Sequence, residues 1–179
     1  MKRLLTWPNG PNLLAFTLVG LSFTIAFEYV FGLIHRPMAP VSIVDFEYVW
    51  TAERLAAMTA GWGAAGTAAA QLSLWVDYLF MPVYVLLASG LVLLTARAAV
   101  GRWQSVGLWL ALAPLGAWAC DAVENAILLN SLPPAAASTA LLTLSGVLSS
   151  IKFGLLIVCV VYVLAALVPW GLRRLKPGA

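Results

Sequence analysis

Four long apolar runs, separated by short polar or proline-containing segments, organise this chain. They cover residues 13–34, 74–96, 106–129 and 140–168. About 20 apolar residues are enough for a helix to cross the hydrocarbon core of a bilayer. The pattern therefore predicts an all-α fold, a polytopic membrane protein whose four-transmembrane-helix bundle takes in residues 1–179 as a single transmembrane domain.

The fourth run is longer than one membrane crossing requires. At about 1.5 Å per residue, a helix over residues 140–168 exceeds the hydrocarbon core of about 30 Å. Such a helix can tilt, protrude beyond the membrane, or follow a separate short segment around residues 138–150. The sequence does not decide between these arrangements, so the conformation of residues 135–150 stays open.

The connection between the first two runs, residues 35–73, is the only sizeable segment outside them. Thr51 is a suitable N-cap for a helix that begins at Ala52. Apolar residues then recur at helical steps from Leu55 to Trp62, which is typical of a helix lying at the membrane interface. Gly61, Gly63 and Gly66 then interrupt this pattern, after which residues 67–73 can run directly into the second span. We therefore expect an external loop that contains a short interfacial helix.

The composition excludes a soluble globular fold. Hydrophobic residues make up 63% of the chain and charged residues 9%, whereas soluble domains carry about 25% charged residues. Too few ionisable groups remain to cover a water-facing surface, so membrane lipids are the expected surroundings.

The basic residues are divided unequally between the two sides of a four-span topology. Seven of the ten fall on the side of the termini: Lys2, Arg3, Arg97, Arg102, Arg173, Arg174 and Lys176. Because basic residues accumulate on the cytoplasmic side, we expect both termini in the cytoplasm and the protein in a bacterial cytoplasmic (inner) membrane. These residues flank helix ends and form no continuous basic surface, so no nucleic-acid partner is expected.

The first apolar run follows a basic start, as a secretory signal does. Its length exceeds the signal core of about 7–15 residues, and no Ala-x-Ala cleavage pattern follows it. We expect this run to remain in the protein as a membrane anchor.

Five ionisable residues lie within or at the edges of the apolar runs: Glu28, Asp77, Asp121, Glu124 and Lys152. A charge at the centre of a membrane helix costs at least about 2.5–3.5 kcal/mol, so such residues usually face the bundle interior, pair with one another and serve a function. Counted at about 1.5 Å per residue, all five fall in the outer part of the bilayer. The sequence therefore predicts one acidic pocket displaced toward the outer face.

Helical spacing places further polar and aromatic side chains on the same helix faces as these charged residues. Residues three and four apart share a helix face, so Asp121, Glu124 and Asn125 project together. The aromatic residues Tyr84 and Trp118 lie on the corresponding faces of their helices. The predicted ligand-binding residues are Glu28, Asp77, Tyr84, Trp118, Asp121, Glu124, Asn125 and Lys152.

An anionic, aromatic pocket suits a lipophilic or cationic small molecule, held by charge and cation–π contacts, or the relay of protons. One alternative is a membrane-embedded isomerase-like enzyme, in which Asp77, Asp121 or Glu124 performs acid/base chemistry on a lipid. Another is an accessory subunit of a membrane complex, and a homo-oligomer is also left open. A purely structural alternative is that Lys152 pairs with Asp121 or Glu124 to fix helix register.

The sequence offers little for cofactor or metal chemistry. Its single histidine, His35, lies outside the apolar runs, and Cys120 and Cys159 form no Cys-x-x-Cys motif. We expect no metal and no other cofactor.

Several short motifs together carry a resemblance to known proteins. They are Thr51-Ala52-Glu53-Arg54, Trp62-Gly63, Asp77-Tyr78-Leu79-Phe80 and Asp121-Ala122-Val123-Glu124-Asn125. This pattern resembles a group of small bacterial four-span membrane proteins of unassigned function. A looser similarity, in four spans with buried acids and tryptophans, is to the emopamil-binding or EXPERA proteins, from which no catalytic residue carries over because position 39 is Ala39 rather than glutamate.

Overall fold

A computed structural model describes residues 2–133 and 135–174, with side-chain surroundings for residues 3–133 and 135–166. Within these ranges the chain forms helices and no strands. Short 3₁₀ turns cover Lys2–Leu5 and Arg36–Met38. The helices are α1 (Gly10–Ile34), α2 (Ile43–Glu47), α3 (Ala52–Ala98), α4 (Arg102–Leu110), α5 (Ala113–Ser131) and α6 (Thr139–Arg174).

Among the residues that the structure describes, four helical segments are long and apolar enough to cross a membrane: α1, α3, α4 together with α5, and α6. The prediction of a helical, multi-pass membrane bundle is thereby confirmed. The third segment breaks between α4 and α5, where Pro114 has no backbone N–H to continue the hydrogen-bond pattern. We call the end of the bundle at residues 2–9 and 99–101 the termini end, and the end at residues 35–51 and 132–138 the loop end.

The second span begins earlier than the apolar run suggested. Thr51 caps α3, accepting a hydrogen bond of 3.2 Å from the Arg54 amide, so the predicted helix start is confirmed. The helix then continues through Gly66 and residues 67–73, so the glycines do not end it as expected. Of Gly61, Gly63 and Gly66, only Gly63 leaves the helical conformation, with φ 61° and ψ −166°. The residues before Gly63 form the first segment of α3.

The fourth span is a single helix from Thr139 to Arg174. Of the alternatives considered for its length, a separate short segment around residues 138–150 is therefore wrong. The helix is long enough to extend beyond a hydrocarbon core of about 30 Å or to tilt within it.

Helices α1 and α3 pack closely near the termini end and less closely toward the loop end. A Cβ atom added at Gly20 would lie 2.9 Å from the Leu87 backbone nitrogen, and one added at Gly90 would overlap Thr17. Nearer the loop end, phenyl rings separate the helices; the Phe27 and Phe80 ring centroids are 5.4 Å apart. Because helix separation follows the size of the intervening side chains, the two helices approach most closely at these glycines.

Two apolar clusters fill the bundle interior. The loop-end cluster joins the first segment of α3 to α2, α5 and α6 and includes Phe46, Trp62 and Leu128. The termini-end cluster includes Val92, Leu108 and Tyr162. A polar layer lies between these clusters, and it contains the candidate site.

Candidate functional site

Lys152 on α6 is the centre of a buried group of charges. Its side chain is 5% exposed, and its Nζ lies 2.9 Å from Asp121 Oδ1, 3.1 Å from Glu124 Oε2 and 3.3 Å from Glu47 Oε1. The Tyr84 hydroxyl donates a 2.9 Å hydrogen bond to the other oxygen of Asp121. We call Glu47, Asp121, Glu124 and Lys152 the charged cluster.

The cluster forms because three elements meet at one level. Asp121 and Glu124 are one turn apart on α5, which packs along α6. One turn before Lys152, the Ser149 hydroxyl donates a 3.3 Å hydrogen bond to the Glu47 carbonyl. This bond and the Glu47–Lys152 contact fasten α2 to α6.

Glu47 is the member of the cluster that sequence reasoning missed. It ends the five-residue helix α2, whose start is fixed by a reciprocal capping box between Ser42 and Asp45. The neighbouring Phe46 is 0% exposed, which draws the end of α2 into the bundle. Burial raises the pKa of the Glu47 carboxyl above its usual value, and the Lys152 ammonium opposes that rise.

A second polar group lies beside the charged cluster, between α3 and α5. Asn125 is 0% exposed, and its Nδ2 donates hydrogen bonds of 2.7 Å to Asp77 Oδ2 and 3.4 Å to the Leu74 carbonyl. These donors fix the orientation of the amide. No donor from residues 3–133 and 135–166 reaches its Oδ1.

The single histidine also joins this layer. His35 Nε2 lies 2.7 Å from the Ser73 hydroxyl, which joins the end of α1 to α3. Partial burial lowers the pKa of His35 below its usual value, so the imidazole is neutral at pH 7. A single hydrogen atom then lies between its Nε2 and the Ser73 hydroxyl oxygen. The pairing was not predicted, since the two residues are 38 positions apart along the chain.

These groups surround a cavity of about 400 Å³, which we call the acidic pocket. Its polar walls are Glu28, His35, Glu47, Ser73, Asp77 and Asn125, and its apolar walls include Phe31, Phe80 and Phe153. The two apolar clusters cover the polar layer on both sides along the bundle axis. The exposed lining residues are Glu28 and Gly32 on α1 and Val44 on α2, so the pocket opens sideways beside α1 and α2.

The structure places all but one of the predicted site residues in two groups. Glu28, Asp77 and Asn125 line the acidic pocket. Asp121, Glu124 and Lys152 belong to the charged cluster, with Tyr84 bonded to it. These contacts of Lys152 also satisfy the alternative in which it fixes helix register, whereas Glu28 and Asp77 lie outside that network.

Trp118 joins neither group. It is 44% exposed, whereas the preceding residue, Ala117, is fully buried. Because successive residues of an α-helix are turned by about 100°, Trp118 is directed away from the buried stripe of α5. The expectation that it lines the polar site is corrected on this point.

The arrangement favours binding over nucleophilic catalysis. A hydroxyl held by an imidazole resembles an activated serine, but Ser73 lies inside α3, where helical hydrogen bonds occupy its amide. Asp77, one turn away, would oppose the negative charge of an oxyanion. Within the described side chains, no three His, Cys, Asp or Glu residues are arranged to hold a metal ion.

No protein-family model, curated protein or solved structure matches this chain.

Proposed function

We propose that this protein resides in a bacterial cytoplasmic membrane and binds a lipophilic organic cation in the acidic pocket. The observation that carries the proposal is the combination of three carboxyl groups and three phenyl rings around one cavity of about 400 Å³. A cavity of this size and mixed lining is typical of small-molecule sites.

The charges of the pocket favour a positive ligand. Lys152 is already surrounded by the three acids of the charged cluster. Glu28 and Asp77 form no ion pair within the described part of the chain. Carboxylates near one another in a medium of low dielectric constant repel, so a cation between them stabilises their charged forms.

The aromatic walls favour an organic cation over a hydrated inorganic one. Phe31 and Phe80 pack edge to face with their centroids 5.6 Å apart, and Phe153 lines the pocket from α6. The face of an aromatic ring attracts a cation, most strongly where water is excluded. An ammonium group with apolar substituents satisfies both the carboxylates and the rings.

The distribution of acids supports binding over proton relay across the membrane. All seven acidic residues of the chain lie nearer the loop end than the termini end. The interior near the termini end is filled instead by the apolar cluster around Val92 and Leu108. A relay would require titratable groups through both halves of the bundle, so a pocket entered from one side fits the geometry better.

We further propose that the termini end faces the cytoplasm, since seven of the ten basic residues flank it. Alkaline phosphatase fused after residue 179 should be inactive in cells, and the same enzyme inserted at residue 40 should be active. The reverse pattern would refute this orientation.

The binding proposal is tested with protein in lipid nanodiscs and two probes of equal chain length, dodecylammonium and neutral dodecanol. Protein-free nanodiscs correct for partition into lipid. We expect saturable binding of the cation, with dodecanol at least tenfold weaker.

Three variants test whether the cation binds in the acidic pocket. Loss of a hydrogen bond to a charged group costs about 1.5–3 kcal/mol, so Asp77→Asn should weaken cation binding by about 10- to 160-fold. Glu28→Gln should weaken it in the same direction. Glu53→Gln removes the same charge from an exposed site at the start of α3 and should leave binding unchanged. Equal binding of cation and alcohol, or equal effects of all three variants, would refute the proposal.

A further inference from the structure

We infer that the ligand is an amphiphile whose head group is a primary ammonium and whose alkyl chain leaves the pocket sideways along α1. This inference rests on the proposed cation-binding function and makes the ligand class specific. The observation that supports it is the presence of buried acceptors without donors in the residues that line the pocket, rather than the charge of those residues.

Two residues that line the pocket carry buried acceptor atoms without donors. Asn125 is 0% exposed, and within the described side chains its Oδ1 has no donor, nor has Glu47 Oε2. The Asn125 amide cannot turn over without losing the bonds that its Nδ2 makes to Asp77 and Leu74. Buried acceptors left without a donor are costly, so a group with N–H donors is the complement of this surface.

The number of donors distinguishes between classes of organic cation. A primary ammonium carries three N–H donors, whereas a quaternary ammonium carries none. Both would satisfy the carboxylates and the phenyl rings, but only the primary ammonium also donates to Asn125 Oδ1 and Glu47 Oε2. Asn125 on α5 and Glu47 on α2 both line the pocket, so a head group would need several donors to satisfy both acceptors.

The surroundings of the pocket indicate where the rest of the ligand lies. None of residues 21–33 is buried, and a Cβ at Gly32 would meet no atom within 4 Å. The exposed aromatic residues Tyr29 and Trp75 adjoin the pocket in sequence, and such residues mark the membrane interface. A head group in the pocket would therefore lie at interface depth, and an attached alkyl chain would follow the exposed apolar face of α1 into the lipid.

Three probes test this inference with the full chain in nanodiscs: dodecylammonium, dodecyltrimethylammonium and methylammonium. We expect dodecylammonium to bind at least tenfold more tightly than dodecyltrimethylammonium. We expect methylammonium, which has the same head group without the chain, to bind at least a hundredfold more weakly. In Asn125→Leu, the tenfold preference for the primary over the quaternary head group should shrink to less than threefold.

The outcomes separate the two proposals. Equal or tighter binding of the quaternary probe by the unaltered protein would overturn the primary-ammonium inference and leave cation binding intact. If methylammonium bound as tightly as dodecylammonium, the inference that the ligand is an amphiphile would be overturned. Failure of both long-chain cations to bind would refute the proposed function itself. If Asn125→Leu does not fold, the comparison of the three probes on the unaltered protein still decides.

Discussion

Replacing Lys152 by methionine keeps the length of the side chain and removes the only ammonium of the charged cluster. Three carboxyl groups, those of Glu47, Asp121 and Glu124, would then converge on an apolar methyl group. Because Lys152 and Glu124 are almost completely buried, water cannot readily replace the lost charge. We expect this variant to be strongly destabilised.

The magnitude follows from the contact distances. Each carboxylate oxygen lies 2.9–3.3 Å from Nζ, where unit charges attract by about 5–6 kcal/mol at an effective dielectric constant of about 20. Repulsion among the carboxylates and desolvation of all four groups offset most of this attraction. Removing one partner from a buried ion pair costs about 3–5 kcal/mol, and we expect a loss in this range.

The assay is reversible unfolding of the purified protein in mixed micelles, followed by circular dichroism as the fraction of dodecyl sulfate rises. Adding Asp121→Asn and Glu124→Gln to Lys152→Met should restore at least half of the lost free energy of unfolding, because the repelling charges are then removed. Arg54→Met removes an exposed cation and should change stability by no more than about 0.5 kcal/mol. A loss below about 1 kcal/mol for Lys152→Met, or further loss in the triple variant, would refute the reasoning.

Two further predictions concern packing and capping. A side chain at Gly90 collides with Thr17, whereas one at Gly32 meets open space; Gly90→Ala should therefore lower the free energy of unfolding by about 1–3 kcal/mol, and Gly32→Ala should not lower it, in the same unfolding assay. Hydrogen bonds from Ser42 hold the pKa of Asp45 below its usual value, so its contribution to α2 should be present above about pH 4 and be lost as the pH falls through the lowered pKa. Hydrogen exchange of the α2 amides should quicken over that interval, and an unchanged pH profile in Asp45→Asn would contradict the assignment.

The membrane spans were predictable because the thickness of a bilayer sets a physical length that the apolar runs must match. The start of α3 was also predictable, since the Thr51 cap is a local interaction. The helical conformation of Gly61 and Gly66 was not, because the effect of a glycine depends on what packs around it. Gly66 stays helical, in close contact with Trp62, while Gly63 has open space around it and takes a positive φ.

The candidate site, like the fold, was predictable from the sequence only in part. The face shared by Asp121, Glu124 and Asn125 follows from helical periodicity, and the cost of charge in lipid points to Lys152. Glu47 and His35 lie outside the apolar runs, so neither principle applies to them. Their positions depend on the path of residues 35–51, which is fixed by tertiary contacts such as those of Phe46 with Trp62.

The most direct test of the central claim is photo-crosslinking with a dodecylammonium probe that carries a diazirine next to the nitrogen, followed by peptide mapping of the labelled protein in nanodiscs. We predict that labelling concentrates on residues 27–35 and 73–80 and is suppressed by excess unlabelled dodecylammonium. Asp77→Asn should reduce that labelling, and Glu53→Gln should not. Label spread evenly over lipid-facing positions such as Val158 and Val161, without competition, would contradict the existence of a cation-binding pocket.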